Sequence, residues 1–144
     1  MARPLKQGLD YFPIDVHFFN DRKIKLLKTK HGAKGVYLLS YLYCEIYRDD
    51  GYYMEWDEET SILIACDVGC NITSEFVETF INDCCKYKIF DKELFERLNI
   101  ITSRGIQRRY LLATEKRKSI KINLNYLLID ETEFKNINDR IEYA

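Results

Sequence analysis

The residues best suited to bind a metal ion are four cysteines, with two histidines as additional candidate ligands: Cys66, Cys70, Cys84, Cys85, His17 and His31. Zinc sites commonly use two close pairs of ligands with two to four residues between partners. Cys66 and Cys70 have that spacing, but Cys84 and Cys85 are adjacent, and adjacent side chains on a helix point about 100° apart. We therefore predict that these cysteines are buried, reduced thiols and that the chain holds no metal.

No group of residues in the sequence matches a catalytic set. The chain has only two histidines, and neither lies in a recognisable nucleophile motif. Its six glycines form no phosphate-binding loop. Carboxylates are numerous, but the sequence singles out no acid–base pair. The sequence therefore predicts a protein that is not an enzyme, with no cofactor and no small-molecule substrate.

Basic residues are concentrated in two segments, although the net charge of the chain is only -1. Residues 20–34 contain six basic residues and one acid, and residues 103–121 contain seven basic residues and one acid. Such segments neutralise phosphates and release counterions, which gives affinity for nucleic acid of any sequence. They can equally be solvated helix faces or pair with acidic residues of a neighbour. The candidate nucleic-acid contacts are Arg104, Arg108, Arg109, Lys116, Arg117, Lys118 and Lys121.

The helix predicted for residues 73–86 carries the wrong charge for a conventional DNA reader. Three of its expected exposed residues are acids, which phosphate would repel. Asn82 is suited to recognising adenine, but a single Asn is weak support for base reading. We therefore expect this helix to pack in the core and to present a solvated acidic face. Its expected exposed residues are Glu75, Glu78, Thr79, Asn82, Asp83 and Lys86.

Helical periodicity and capping residues predict five helices that must position these charges. The first begins at Asn20 or Asp21 and ends at Gly32. The second, residues 33–48, is apolar on all sides and is expected to be the buried central helix. The remaining three are predicted for residues 57–67, 73–86 and 103–118. Residues expected in the core are Leu39, Leu42, Ile46, Phe76 and Phe80.

Short apolar runs predict a small β component beside the helices. Residues 52–56 follow the turn 49–51 and have the composition of a short strand. Two further runs, residues 89–90 and 100–101, flank a charged stretch and predict a two-stranded wing hairpin. Helix, short connection, helix and hairpin is the order of a winged helix-turn-helix. The predicted fold is therefore mainly α with a small β component, a winged helix-turn-helix of about five helices.

Three regions follow from this order. Residues 1–19 are predicted to be an extended N-terminal arm, because Pro13 cannot lie inside a helix. Residues 20–118 form the winged-helix domain, and residues 119–144 form a C-terminal extension that we expect to be a strand followed by a partly flexible end. The N-terminus lacks the apolar region of a signal peptide, and no run approaches the roughly 18 apolar residues of a membrane span. We therefore predict a cytoplasmic protein.

Three stretches of the sequence carry a family resemblance: GLDYFPIDVHFFNDRKI at residues 8–24, GYYMEW at 51–56 and IFDKELFERLNIITSRGIQRRY at 89–110. Together they resemble a bacterial and prophage family of replication-initiation or replisome-organiser-like proteins, whose N-terminal domain is related to that of the primosome protein DnaD. The resemblance covers roughly residues 3–118. It implies a winged-helix domain that is not an enzyme, acts in phage or plasmid-type DNA replication or its control, and self-associates.

The leading hypothesis is therefore a DNA-associated winged-helix protein of phage replication that binds mainly through backbone phosphates. The alternative is a protein-interaction or oligomerisation module of a replication complex with little direct DNA binding, which the acidic helix favours. Expected partners are DNA, a second copy of the chain through the arm, and replication proteins. No membrane contact is expected.

Overall fold

The computed structural model of the protein describes residues 6–143 and is mainly helical over that range, as predicted. The strands are short and form two separate pairs. The helices are α1 (Arg22–Arg48), α2 (Thr60–Val68), α3 (Ser74–Lys86), α4 (Lys92–Leu98) and α5 (Arg104–Thr114). The strands are β1 (Met54–Glu55), β2 (Ile100–Ile101), β3 (Ile120–Ile122) and β4 (Ile141–Tyr143). Short 3-10 helices are Phe18–Asn20, Glu131–Glu133 and Lys135–Arg140.

Helix α1 contains the first two predicted helices, joined across a break at Gly32. The side chain of Asp21 accepts a hydrogen bond from the Lys23 amide at 3.0 Å, which caps the N-terminus. Gly32 has φ 69° and ψ -160°, a conformation that residues with a Cβ rarely adopt. The predicted start and the predicted interruption are therefore both confirmed.

The second half of α1 is the centre of the hydrophobic core. Leu39, Leu42 and Ile46 are fully buried, as predicted, and Phe80 of α3 is buried in the same cluster. Phe76 is only partly buried and packs against this cluster. The expectation that this helix is buried on every side is wrong, because Tyr37 and Cys44 lie at the surface.

The predicted wing hairpin does not exist in the described residues, because the charged stretch between its two runs forms α4. Asp91 caps this helix by accepting from the Leu94 amide at 2.9 Å, and Asn99 ends it in the left-handed conformation. Residues 89–90 are buried but form no strand. Strand β2 pairs instead with β1, antiparallel, with Met54 opposite Ile101. The two predicted strand positions 52–56 and 100–101 are therefore partners of each other.

Helix α5 is shorter than predicted and ends at Thr114, after which the chain turns. The Arg117 amide donates to the Thr114 carbonyl at 2.9 Å in this turn. The strand predicted for residues 120–129 is limited to β3, which pairs in parallel with β4. Phe134 and Ile137, which lie between β3 and β4 in the sequence, are both buried. The C-terminal region therefore packs onto the core.

The N-terminal arm runs along the C-terminal part of α1. The Leu9 amide donates to the Tyr47 carbonyl at 2.7 Å, and Leu9 is buried. A Cβ at Gly8 would lie 1.8 Å from the Arg48 carbonyl oxygen, so only glycine permits this approach. No helix among the described residues is long and apolar enough to cross a membrane.

Candidate nucleic-acid interface

A groove with a volume of about 1150 Å³ opens between four separate parts of the chain. The arm forms one wall, the beginning of α1 a second, the α3–α4 junction a third and the beginning of α5 a fourth. Tyr43 and Tyr47 of α1 line it together with Phe90. We refer to this feature as the groove.

Basic side chains outnumber acidic ones around the groove. Seven basic residues line it: Lys23, Lys86, Lys88, Lys92, Arg104, Arg108 and Arg109. The four acids that line it are Asp15, Asp21, Asp91 and Glu93. Three of these carboxylates accept hydrogen bonds from nearby backbone amides at 2.6–3.0 Å, and the fourth pairs with Arg97 at 2.9 Å. Seven basic residues against four acids leave the lining with a formal surplus of three positive charges.

Five of the basic residues have no acidic partner within the described chain: Arg104, Arg109 and three lysines. Lys23, Lys86 and Lys88 are exposed and form no salt bridge there. Lys86 lies over the Tyr87 ring, 5.7 Å from its centroid. These three lysines come from α1 and from the α3–α4 junction, far apart in sequence. Sequence reasoning placed Lys23 in a basic segment and Lys86 on an exposed face, but no local signal brought them together.

Three of the predicted contacts, Arg104, Arg108 and Arg109, lie at the groove on the first turns of α5. Arg104 donates to the Leu128 carbonyl at 3.1 Å, and Arg108 pairs with Glu133 at 2.6 Å. Both side chains are exposed to solvent despite these contacts. The groove thus combines these arginines with the lysines that sequence reasoning did not connect to them.

Arg109 forms part of the floor of the groove. Its Nε donates to the Tyr47 hydroxyl at 2.8 Å, and its guanidinium lies 5.9 Å from the Tyr43 ring centroid. Burial raises the pKa of both phenols, and the positive charge of Arg109 only partly opposes this. Both tyrosines are therefore neutral at physiological pH.

The other four predicted contacts, Lys116, Arg117, Lys118 and Lys121, do not line the groove. Arg117 donates to the carbonyls of Lys6 and Gly8, both at 2.7 Å, and so fastens the arm to the rest of the protein. The predicted helix over residues 103–118 would have carried Arg109, Lys116 and Arg117 together, but α5 ends at Thr114, so Lys116 and Arg117 lie beyond it. The three lysines of this group are exposed.

Residues 49–85, which form β1, α2 and most of α3, carry ten acids and no lysine, arginine or histidine. We refer to this stretch as the acidic segment. Glu75, Glu78 and Asn82 are exposed on α3, as predicted. The predicted exposure of Asp83 is wrong, because its carboxylate is buried and accepts from Lys30 Nζ at 2.9 Å and pairs with His31 Nε2 at 2.7 Å.

The cysteines are only partly buried. Cys84 and Cys85 lie in the core, as predicted, whereas Cys66 and Cys70 are exposed, so the prediction for that pair is wrong. Burial raises the pKa of Cys85 to about 11, which keeps its thiol protonated. Within residues 6–143, no group of three or more His, Cys, Asp or Glu is arranged to hold a metal ion.

Comparison with known proteins gives one family and one curated relative. The family model described as "Lin1244/Lin1753-like, N-terminal" matches residues 11–106. The uncharacterized phage-related protein Lin1244/Lin1753 of Listeria innocua serovar 6a is 43% identical over 144 residues. That match covers all of this chain and 46% of the relative, so the chain spans less than half of the relative's length. No solved structure matches the chain.

Proposed function

Because this chain belongs to the Lin1244/Lin1753-like N-terminal family of phage-associated proteins, we propose that it binds DNA in phage replication or its control. It acts in the cytoplasm without catalysing a reaction, and its affinity comes from backbone phosphates instead of base edges. Half to two-thirds of protein–DNA hydrogen bonds go to phosphate and sugar, and such contacts carry no sequence information directly.

One observation carries this proposal: Lys23, Lys86 and Lys88 meet at the groove without acidic partners. Lysines that bind no protein carboxylate are free to replace the counterions of a phosphate chain. Arg104 and Arg108 add charge from the beginning of α5. Base reading by α3 is disfavoured because the exposed side chains Glu75 and Glu78 would face phosphate.

The relation to winged-helix and DnaD-type replication proteins is part of the same proposal. Helices α2 and α3 pack against each other across a short connection, in the manner of a helix-turn-helix. The β1–β2 pair brackets them in sequence, as strands do in winged helices. Helix α4 occupies the place at which a wing would follow.

The test is fluorescence anisotropy with labelled single-stranded and double-stranded DNA at several salt concentrations. We expect binding that differs little between sequences and weakens as salt rises, with a slope that reports the number of phosphates contacted. Binding that is confined to one sequence and insensitive to salt would contradict the proposal, as would no binding at low salt.

A second candidate function is that of a protein-interaction and self-association module. The observation that favours it is a row of exposed apolar side chains on the arm, including Tyr11, which is 85% exposed, and Val16, which is 89% exposed. Ile62 and Leu63 of α2 are also exposed beside the acidic residues of that segment. Scattered exposed apolar residues are normal, but several within ten residues indicate a contact surface.

Light scattering at tens of micromolar protein distinguishes this candidate. Tyr11→Ser with Val16→Ser is expected to convert an oligomer into a monomer if the arm forms the contact. The matched control is Leu112→Ser with Leu124→Ser, which removes two exposed apolar side chains elsewhere. A wild-type monomer would exclude self-association, and an oligomer unaffected by the arm substitutions would place the contact elsewhere.

A further inference from the structure

The walls of the groove differ in chemistry. Basic residues from α1, the α3–α4 junction and α5 line three sides, whereas the arm contributes mainly apolar residues to the fourth: Phe12, Pro13, Ile14 and Phe18, with Asp15 and His17 between them. Ile14 is 54% exposed, and Phe18 is partly exposed. Phe18 packs edge-on against Phe19, with 5.1 Å between ring centroids, and this contact orients its ring. The groove thus has a cationic side and an apolar, aromatic side.

This pairing of chemistries matches one class of nucleic acid. Proteins that bind single strands combine a positively charged groove, which follows the phosphates, with aromatic side chains on which unpaired bases stack. A duplex hides its base faces and would present only phosphate to the arm. The volume of the groove, about 1150 Å³, slightly exceeds that of a typical small-molecule pocket and suits a few nucleotides.

We propose that the groove binds a single strand of nucleic acid, with phosphates on Lys23, Lys86 and Lys88 and bases against Phe18 and Ile14 of the arm. This inference rests on the proposed function and names its ligand. Arg109 lies beneath the strand, where its guanidinium is held by Tyr47 at 2.8 Å. Four acids also line the groove, but the seven basic residues outnumber them, and Glu93 is paired with Arg97 at 2.9 Å.

The first experiment compares two triple variants that remove the same charge. Lys23→Gln, Lys86→Gln and Lys88→Gln neutralise the groove, whereas Lys116→Gln, Lys118→Gln and Lys121→Gln neutralise three exposed lysines outside it. Anisotropy is measured with oligo-dT of about 12 nucleotides. We expect the groove variant to lose affinity on the order of 10- to 100-fold and to lower the salt slope by roughly two units.

The control variant should lose much less affinity for oligo-dT. Equal losses in the two triple variants would overturn the groove as the site. If the groove variant bound oligo-dT as tightly as the wild-type protein, this inference would be overturned. Normal binding of duplex DNA by the wild-type protein would then leave the proposed function intact. Failure of the wild-type protein to bind any DNA at low salt would remove both.

The second experiment tests the aromatic wall. Phe18→Leu keeps an apolar side chain but removes the ring, and Tyr37→Leu is the control because Tyr37 is an exposed aromatic residue that does not line the groove. Loss of one stacked base should weaken oligo-dT binding by about fivefold or more in Phe18→Leu alone. Equal affinities of the two variants would show that the ring is not a stacking platform.

A second measurement avoids any dependence on how Phe18→Leu folds. An abasic strand with the same number of phosphates is compared with oligo-dT on the wild-type protein. The abasic strand should bind at least fivefold more weakly, by about the same factor as the variant. An acidic peptide of equal charge serves as the other comparison. If the peptide or the abasic strand bound as tightly as oligo-dT, the groove would be a general polyanion site and the inference would be wrong.

Discussion

The groove and the acidic segment have opposite charges and are assembled in opposite ways. The groove collects its seven basic residues from several parts of the chain, whereas the acidic segment is one continuous stretch with ten acids. In the groove, the seven basic residues outnumber the four acids, and three exposed lysines form no salt bridge within the described residues. In the acidic segment, Asp49 and Asp83 are the acids that form salt bridges within the described residues, in both cases to residues outside it.

Helix α3 connects the two regions, and its charge distribution follows its dipole. Glu75 lies in its first turn and Lys86 in its last. An acid near the positive N-terminal end and a base near the negative C-terminal end each stabilise a helix by about 0.3–1 kcal/mol. The same arrangement directs Lys86 into the groove and leaves Glu75 and Glu78 in the acidic segment. The charges that stabilise this helix therefore also keep acidic and basic side chains in separate regions of the molecule.

The largest expected effect comes from a cavity made in the hydrophobic core that supports both regions. Leu42 is fully buried on α1, whose neighbouring residue Tyr43 lines the groove. Leu42→Ala should lower the free energy of unfolding by about 2–5 kcal/mol, because it leaves a cavity. Urea denaturation measures this loss, and Leu112→Ala at an exposed position is the control. A loss below about 0.5 kcal/mol would mean that α1 is peripheral and would contradict the fold.

The next largest effect is expected where the acidic segment meets the basic half of α1. Burial acts to raise the pKa of Asp83, but the hydrogen bonds from Lys30 and His31 outweigh it and lower the pKa below the usual value. Asp83→Asn should lower the free energy of unfolding by about 1–3 kcal/mol near neutral pH. The stabilisation that Asp83 gives the folded protein is present above the ordinary carboxylate pKa. It is lost as the pH falls through the lower pKa that Asp83 has in the folded protein.

Denaturation at about pH 7 and about pH 3 checks this pH dependence. When the pH is lowered from about 7 to about 3, the free energy of unfolding should fall more for the wild-type protein than for Asp83→Asn. The variant has no carboxylate to protonate at that position. Asp67→Asn is the control, because Asp67 is exposed and accepts from the Tyr41 hydroxyl at 3.2 Å without a basic partner among residues 6–143. Parallel pH profiles for wild type and Asp83→Asn would show that the buried contact adds nothing.

A smaller effect is expected from neutralising the acidic segment itself. Glu58, Glu59 and Glu75 are exposed and form no salt bridge within the described residues. Changing all three to Gln should leave the salt slope of DNA binding unchanged and raise affinity by at most about threefold at low salt, through long-range repulsion alone. A lower slope or a weaker affinity would mean that DNA contacts this segment, which would overturn the contrast between the two regions.

The smallest effect is expected from Asn82→Ala. Asn82 is exposed on α3 between acidic residues, where we expect no base to approach. Its replacement should change DNA affinity by less than about twofold for every sequence tested, since a lost bidentate base contact would cost about 1–3 kcal/mol at one site. Loss of binding to a preferred sequence would make α3 a conventional major-groove reader and would reverse our assignment of the two regions.

Features that depend on neighbouring residues followed from the sequence alone. Asp21 caps α1, Gly32 interrupts it, and Leu39, Leu42 and Ile46 face the core, because caps and helical periodicity act within one or two turns. Helix α4 was within reach of the same reasoning, since Asp91 at its start and Asn99 at its end are ordinary cap residues. The two apolar runs beside it were instead interpreted as a hairpin, because short apolar runs do not distinguish a strand from a buried helix end.

Only the tertiary structure decided which distant residues meet. It paired β2 with β1, buried Asp83 against Lys30 and His31, and used Arg117 to hold the arm. It also divided the seven predicted basic contacts, placing three at the groove and four elsewhere, and added Lys23, Lys86 and Lys88. The sequence by itself determined how much charge each segment carries, because composition is local. Which charges remain free for a ligand depends on partners brought together by folding, and no spacing along the chain encodes them.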